Sequence, residues 1–173
     1  ARELLLGYEA GIVEHVRAGQ GLVIHGRWRS GKTTAACCLL RAVLQHAGTA
    51  CFVRSSDVPG LVISATAYSD AHTVAEALRF ADLVCIDDLG AESARDAGLT
   101  MIEDVIRYRM DHKRATLVTT QQKQLIAQRF GEGVGLILAA QFIDVQLQTR
   151  RWLQEEGSTR DAAVAKILKR KGP

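Results

Sequence analysis

The sequence predicts an α/β protein, a three-layer sandwich in which helices cover both faces of a mostly parallel five-stranded sheet. Three observations indicate this fold class. Short apolar runs alternate along the chain with longer segments of helical periodicity, as in βαβ units. Some of these runs are uninterrupted, which is typical of strands buried on both faces of a parallel sheet. Glycines and polar residues follow them, where ligands bind in such sheets.

The composition is that of a folded globular chain. It has 173 residues, 47% hydrophobic and 24% charged, with a formal net charge of +3. These values exclude a disordered chain and do not by themselves indicate a nucleic-acid-binding protein. No apolar run reaches membrane-spanning length, and no signal-peptide pattern opens the chain, so we expect a cytoplasmic protein without a membrane partner. The chain begins at Ala1 rather than Met, which leaves open whether a further domain precedes it.

The four cysteines indicate neither a metal site nor a disulfide framework. Their spacing fits no common ligand pattern, and two of them lie within apolar, strand-like runs. We expect buried, reduced thiols that act as small hydrophobic side chains. The four residues are Cys37, Cys38, Cys51 and Cys85.

The most informative motif lies between a predicted strand and a predicted helix. The segment GRWRSGKTT, residues 26–34, has the G-x-x-x-x-G-K-T pattern of a phosphate-binding loop. Gly26 and Gly31 let backbone N–H groups face a phosphate at a helix N-terminus, whose dipole favours anions. Lys32 is expected to reach the β- and γ-phosphates, and the Thr33 hydroxyl to bind Mg²⁺. A chance glycine-rich turn is the alternative. The residues expected to hold ATP or ADP are Gly26, Arg27, Trp28, Arg29, Ser30, Gly31, Lys32, Thr33 and Thr34.

A second motif follows a buried strand. The apolar run 83–86 ends in Asp87 and Asp88, as in the Walker B element of phosphate-loop proteins. Asp87 is expected to hold the Mg²⁺ shell, and Asp88 to orient and activate the attacking water in a catalytic role. Paired acids after a strand also occur as turn residues or helix caps. Their position downstream of a complete phosphate loop favours the site.

Periodicity assigns the remaining elements of the first half. Apolar residues at helical spacing predict a helix over 2–18. The helix behind the phosphate loop is predicted to end near Gly48, and the run ACFVRSS predicts a strand over 50–56. The segment DAHTVAEALRF, with Asp70 as its cap, predicts a helix that ends at residue 80.

The second half continues this alternation. We expect a helix over 94–112 and a buried strand over 115–120, followed by a helix that ends at Gly131. After an apolar, glycine-rich segment, alternation over 142–148 predicts a last strand. The tail STRDAAVAKILKRK, from residue 158, predicts a short basic amphipathic helix.

Together these motifs resemble the bacterial helicase loaders of the DnaC/DnaI type and the related IstB transposition helper ATPases, within the AAA+ class. The matching segments are GRWRSGKTT (26–34), IDDLGAE (86–92), IRYRMDHKRATLVTTQ (106–121) and AQRFGEG (127–133). The resemblance covers about residues 8–151. It implies a P-loop NTPase fold of the AAA+ (ASCE) type, with residues 1–151 as the ATPase core and 152–173 as a basic helical tail.

The resemblance also implies further site residues and two departures. Gln121 takes the place of the sensor asparagine of the family, a catalytic position near the γ-phosphate or the lytic water. Arg151 takes the place of a nucleotide-binding arginine that senses phosphate within the same chain, although a solvated surface arginine fits equally well. Arg29 stands where the family has a third glycine. No Arg or Lys occurs within 130–149, where the family places its arginine finger, so the finger is absent or has moved to Arg150 or Arg151.

The function that the resemblance implies is an ATPase that binds ATP with Mg²⁺ and hydrolyses it slowly. It would act as a replicative helicase loader, which is slightly preferred, or as a DNA transposition helper. Its expected partners are single-stranded DNA and a helicase or transposase, and a homo-oligomer is left open. The alternatives are a nucleotide-switch adaptor with little ATPase activity and, more weakly, a small-molecule kinase. The cations expected to contact DNA are Arg27, Arg29, Lys166, Lys169, Arg170 and Lys171. For the tail residues the alternative is a solvated helix end, whose cations complement the helix dipole.

Overall fold

The computed structural model describes residues 1–58, 60–61, 71–90, 96–121 and 123–148. The expected basic tail, Arg150, Arg151 and the Asp70 cap lie outside these residues. Within the described part, no helix is both long and apolar enough to cross a membrane.

Five parallel strands form a single sheet. They are β1 (Gly21–His25), β2 (Ala50–Arg54), β3 (Leu83–Asp87), β4 (Ala115–Thr120) and β5 (Phe142–Gln146). Their spatial order is β2-β3-β4-β1-β5, so β4 lies between the strand before the phosphate loop and the strand that ends in acids. The register pairs Ile24 with Thr119, and Ile86 with Val118. Because all strands are parallel, their carboxyl ends meet at one edge of the sheet.

Helices cover both faces of this sheet. They are α1 (Arg2–Ala10), α2 (Ile12–Arg17), α3 (Lys32–Gln45), α4 (Ala71–Phe80), α5 (Asp96–Asp111) and α6 (Gln124–Gln141), with a 3₁₀ turn at Ser55–Asp57. Successive strand residues point to opposite faces, so Leu22 and Ile24 pack against α1–α3 while Val23 packs against α4–α6. The predicted three-layer α/β sandwich with a parallel five-stranded sheet is confirmed.

The predicted N-terminal helix is two helices separated at Gly11. A glycine inside a helix costs about 0.5–1 kcal/mol relative to alanine, so a break is favoured there. Side-chain contacts fix the two pieces. The Tyr8 hydroxyl donates to the carbonyl of Gln20 at 2.6 Å, and the Tyr8 ring stacks on His15 with centroids 4.5 Å apart.

The prediction that the helix after β4 ends at Gly131 is wrong. α6 continues without a break to Gln141. Its residues Phe130, Val134 and Leu138 recur every four positions and are buried in the core. Burying such side chains contributes about 1.5–3 kcal/mol each, which outweighs the cost of about 1 kcal/mol for a helical glycine. The glycine-rich composition of this segment therefore gives a misleading signal.

The amino edge of the sheet is organised by a buried arginine. Arg109 of α5 is fully buried and donates to the carbonyls of Leu78 (3.1 Å), Ala81 (2.9 Å) and Ala115 (2.5 Å), and to the Thr116 hydroxyl (2.9 Å). Burial lowers the pKa of Arg109 to about 10, so its guanidinium is charged at neutral pH. One side chain thus joins α4, β4 and the segment leading into β3.

Candidate functional site

The loop between β1 and α3 has the backbone geometry of a phosphate-binding loop. Gly26 has φ +151° and Gly31 has φ +91°, backbone angles that residues other than glycine rarely adopt. A Cβ atom at Gly26 would also collide with the carbonyl oxygen of Leu147. The Gly26 N–H donates to the carbonyl of Thr120 at 3.3 Å, which attaches the start of the loop to β4. Glycine is therefore required at both ends of the loop.

The N-terminus of α3 faces this loop without a cap. Gly31 is the N-cap residue, and no side chain accepts a hydrogen bond from the first helical turn. The hydroxyl oxygen of Ser30 is buried and has no hydrogen-bond partner among the described residues. Uncapped N–H groups at the positive end of a helix dipole, next to an unpaired hydroxyl, suit a phosphate group. The loop therefore fits the phosphates of a nucleotide.

Lys32 lies inside the loop rather than on its surface. Its side chain is only 5% exposed, and its ammonium group donates to the carbonyls of Gly26 (3.1 Å) and Arg27 (3.2 Å). No ion pair of Lys32 is present in the described ranges. A buried cation held only by neutral carbonyls can exchange them for phosphate oxygens at little rearrangement.

A chain of hydrogen bonds connects the loop to the acids of β3. The Thr33 hydroxyl contacts both carboxylate oxygens of Asp87, at 3.0 and 3.1 Å, and the Thr119 hydroxyl donates to Asp87 Oδ1 at 2.6 Å. Asp87 is buried. A hydroxyl and a carboxylate in contact at the mouth of a phosphate loop are suitable ligands for Mg²⁺. The structure therefore brings together the two residues predicted to hold the metal.

Asp88 is held in an unusual backbone conformation. Its φ is +55°, and its N–H donates to the Thr119 hydroxyl at 2.9 Å. Its carbonyl accepts from the buried Ser55 hydroxyl at 2.9 Å, and the N–H of Leu89 donates to the Thr119 carbonyl at 2.8 Å. Left-handed backbone at a non-glycine residue persists only where neighbours hold it, and such strain is frequent at functional sites. These contacts fix the backbone of Asp88 at the carboxyl edge, and its side chain is partly exposed there.

Thr119 is the site residue that the sequence did not reveal. Its hydroxyl bridges Asp87 and the backbone of Asp88, whereas the sequence-based expectation fell on Gln121, which is exposed just beyond the end of β4. Two threonines that end a buried strand beside the acids are the signal that could have identified it. The roles predicted for Gln121 and Arg151 stay predictions, and Arg151 lies outside the described residues.

A second polar group supports the loop from the side. Asp144 of β5 lies 3.1 Å from His25 Nε2, and its other oxygen lies 3.0 Å from the ammonium of Lys123. His25 directly precedes Gly26, and Lys123 is the N-cap residue of α6. The end of β1 is thereby connected to β5 and to the segment that follows Gln121.

Solved structures of similar fold include a helicase loader and a replication initiator. The DnaC helicase loader matches with a TM-score of 0.75 and 20% identity, over 84% of this chain and 89% of that chain. DnaI matches with a TM-score of 0.67 and 16% identity, over 84% and 81%. The replication initiator DnaA, bound to AMPPCP and single-stranded DNA, matches with a TM-score of 0.69 and 12% identity, over 82% of this chain but 45% of that chain. No protein-family model and no curated protein matches the sequence. The expected likeness to DnaC/DnaI-type AAA+ proteins is confirmed at the level of the fold.

Proposed function

We propose that the protein is an AAA+ ATPase of the helicase-loader type, which binds ATP with Mg²⁺ and hydrolyses it slowly. The contact between Thr33 and Asp87, beside an uncapped phosphate loop, carries this proposal. The fold alone does not require this contact. Thr33 lies in α3 and Asp87 in β3, and β4 separates β3 from β1, the strand that precedes α3. Thr119 holds Asp87 in the orientation that faces Thr33.

Each residue of the site has a distinct task in this proposal. Lys32 exchanges the Gly26 and Arg27 carbonyls for phosphate oxygens. The Thr33 hydroxyl and Asp87 hold Mg²⁺, which neutralises charge on the phosphates during the reaction. Asp88 accepts a hydrogen bond from the attacking water and orients it, since its backbone is already fixed by Thr119.

Slow turnover is expected because the segment in which the family places its arginine finger has no cationic residue. The part of α6 from Gly133 to its end holds no Arg or Lys. An arginine finger contributes about 10³–10⁵-fold to turnover in enzymes that have one. Gln121 is exposed, so it lacks the packing that would fix its amide against a phosphate or a water. ATP binding needs neither group.

The helicase-loader assignment is favoured over the transposition helper by the structural neighbours. DnaC is named as a helicase loader and DnaA as a replication initiator. DnaA bound to AMPPCP and single-stranded DNA supports the same two ligands for this chain. We therefore propose ATP or ADP, single-stranded DNA and a replicative helicase as partners of a core formed by residues 1–151, with 152–173 as its basic tail.

A nucleotide-switch adaptor is the second candidate. The absence of any Arg or Lys within 130–149 favours it, since a protein that only binds nucleotide needs no finger. The fixed backbone of Asp88 favours the ATPase instead, because an adaptor gains nothing from a positioned water-activating carboxylate.

Steady-state ATP hydrolysis separates these candidates. Wild-type protein and the Asp88→Asn variant are assayed with and without single-stranded DNA, and ATP binding is measured on the same samples. Slow turnover that Asp88→Asn abolishes supports the ATPase. Tight binding with no turnover in either protein identifies the adaptor, and absence of ATP binding contradicts both.

A further inference from the structure

The phosphate loop presents an exposed aromatic ring between two arginines. Trp28 is 71% exposed, the highest value among the large hydrophobic side chains of the described residues. Arg27 and Arg29 flank it and are also exposed, and the Arg29 guanidinium lies 5.8 Å from the centroid of the indole ring. In the proposed function this loop holds phosphate through its backbone N–H groups, so the exposed side chains of Arg27, Trp28 and Arg29 remain available to another ligand.

The backbone beneath Trp28 is fixed. Arg29 has φ +62°, a left-handed conformation that its neighbours must hold. The Ser30 N–H donates to the Arg27 carbonyl at 3.3 Å, and the same carbonyl accepts from Lys32. The turn closed by the Ser30 N–H supports the indole even after Lys32 exchanges the Arg27 carbonyl for phosphate in the proposed function. A ligand that stacks on the indole therefore meets a platform that is already ordered.

Along the sequence, the charged residues on both sides of this loop are all basic. No Asp or Glu occurs between Glu14 and Asp57 in the sequence. The basic residues of that stretch are Arg17, Arg27, Arg29, Lys32, Arg41 and Arg54. Of the carboxylates at this edge of the sheet, Asp87 ends β3 and Asp88 follows it, and Mg²⁺ offsets their charge in the proposed function. Asp144 is already paired with His25 and Lys123. The basic residues of this loop therefore attract an anionic ligand and repel a basic one.

We propose that Arg27, Trp28 and Arg29 form a contact site for single-stranded nucleic acid, with a base stacked on the indole and the guanidinium groups on adjacent phosphates. Unpaired bases expose the π-faces that stack on aromatic side chains, whereas duplex bases are already stacked on one another. Arginine adds a cation–π and phosphate contact at the same place. This inference deepens the proposed function by locating the single-stranded partner at the nucleotide loop itself.

The fluorescence of Trp28 gives a direct measurement. The chain holds two tryptophans, Trp28 and Trp152, so a full-length Trp152→Phe protein has a single indole, in the phosphate loop. We expect an oligothymidylate to quench this emission, and a duplex of mixed sequence at equal nucleotide concentration to leave it unchanged. Trp28→Ala lacks the reporting indole, so its binding is followed by the anisotropy of a labelled oligothymidylate. It should bind about 5- to 150-fold more weakly, as for loss of one base–aromatic stack. Trp28→Phe should retain most of the affinity, because the ring is kept.

Phe80 provides the matched control. It is 49% exposed and also carries a guanidinium near its ring, that of Arg114 at 5.7 Å, but it precedes β3 and so lies at the amino edge of the sheet. Phe80→Ala should leave the affinity unchanged. A second test is charge: Arg27→Ala and Arg29→Ala should each reduce the log–log salt slope by about 0.7.

The outcomes separate this inference from the proposed function. Unchanged Trp28 emission with oligothymidylate, or equal affinities of wild type and Trp28→Ala, rejects the contact site. Equal losses in Trp28→Ala and Phe80→Ala reject it as well. Quenching by oligothymidylate in a protein that does not bind ATP supports the site and contradicts only the proposed function.

Discussion

Asp87 and Asp88 are neighbours in the sequence but are held in different ways. The Asp87 carboxylate is buried and bonded to two hydroxyls, whereas the Asp88 side chain is half-exposed and only its backbone is fixed. On this difference rests our proposal that Asp87 holds the metal and Asp88 orients the water.

Substitution of each acid tests this division. Asp87→Asn should weaken Mg²⁺-dependent ATP binding about tenfold or more, because an amide is a poor ligand for a hard cation. Asp88→Asn should leave ATP affinity unchanged and slow hydrolysis by about 100-fold or more, as expected for a lost general base. Calorimetry and single-turnover hydrolysis measure the two effects. Equal losses of ATP affinity in both variants would contradict the assignment.

Thr119 should affect Mg²⁺-dependent ATP binding as well as the stability of the protein. Thr119→Val removes the hydrogen bonds to Asp87 and Asp88, so we expect a loss of about 1–3 kcal/mol in stability and weaker dependence of ATP binding on Mg²⁺. Thr116→Val is the matched control. Thr116 is a buried threonine of the same strand, and its hydroxyl accepts from Arg109 and donates to the Arg114 carbonyl at the amino edge. It should lower stability without altering the Mg²⁺ dependence. If Thr119→Val and Thr116→Val changed the Mg²⁺ dependence of ATP binding to a similar extent, Thr119 would have no specific role in metal binding.

The sequence identified the residues that define the motifs and missed those that support them. Gly26, Lys32, Thr33 and the acids of β3 have fixed spacing, so their roles could be predicted from a linear pattern. Thr119 acts through strand order, because β4 lies between β1 and β3. Strand order is set by packing across the whole sheet and has no local signal in the sequence.

One carboxyl group outside the site makes stability depend on pH. The backbone N–H of Thr49 donates to the Asp82 carboxylate at 2.8 Å, and the Thr49 hydroxyl donates to it at 2.7 Å. These bonds, the backbone one most strongly, hold the pKa of Asp82 below its ordinary value. A carboxyl with a lowered folded-state pKa stabilises the fold above its unfolded pKa of about 3.9, and this contribution is lost as pH falls through the folded pKa. Asp82→Asn should therefore be less stable than wild type at pH 7, and the two should converge in acid. NMR titration that finds the Asp82 pKa at its ordinary value in the wild type would contradict this.

At the scale of single elements, α6 shows how packing overrides composition. Its glycines predict an early end, but the buried stripe of Phe130, Val134 and Leu138 keeps the segment helical. Helix propensity acts on each residue separately, whereas the stripe gains stability only once α5 and the sheet are in place. The sequence therefore predicted where α6 begins better than where it ends.

Gly133 gives a direct test of this account of α6. A Cβ atom there would lie 2.7 Å from Arg107 Nη2, the end of a flexible side chain paired with Glu103, so it can move aside. Gly133→Ala should then stabilise the protein by about 0.5–1 kcal/mol and raise Tm by about 1–4 °C. Gly26→Ala should lower Tm, because its Cβ would meet the backbone carbonyl of Leu147. A lower Tm for Gly133→Ala would show that Arg107 cannot leave its place.

For the whole molecule, the two edges of the sheet have different tasks. The amino edge is closed by Arg109, whose donors are all occupied by the chain itself. The carboxyl edge holds the uncapped α3 N-terminus, the unpaired Ser30 hydroxyl and the carbonyl-bound Lys32. One edge is satisfied internally and the other is arranged for a ligand, which is the physical basis for proposing a nucleotide there.

Calorimetric titration of ATP with Mg²⁺ into wild-type and Lys32→Ala protein tests this claim most directly. Lys32 is buried and its bonds go to carbonyls of the loop, so its loss removes a charge-assisted contact to phosphate. We predict that wild-type protein binds one ATP and that Lys32→Ala binds it more weakly by about 1–3 kcal/mol. Circular dichroism of both proteins confirms that the variant is folded. Equal ATP affinities in two folded proteins, or no binding by the wild type, would contradict the assignment of this loop to a nucleotide.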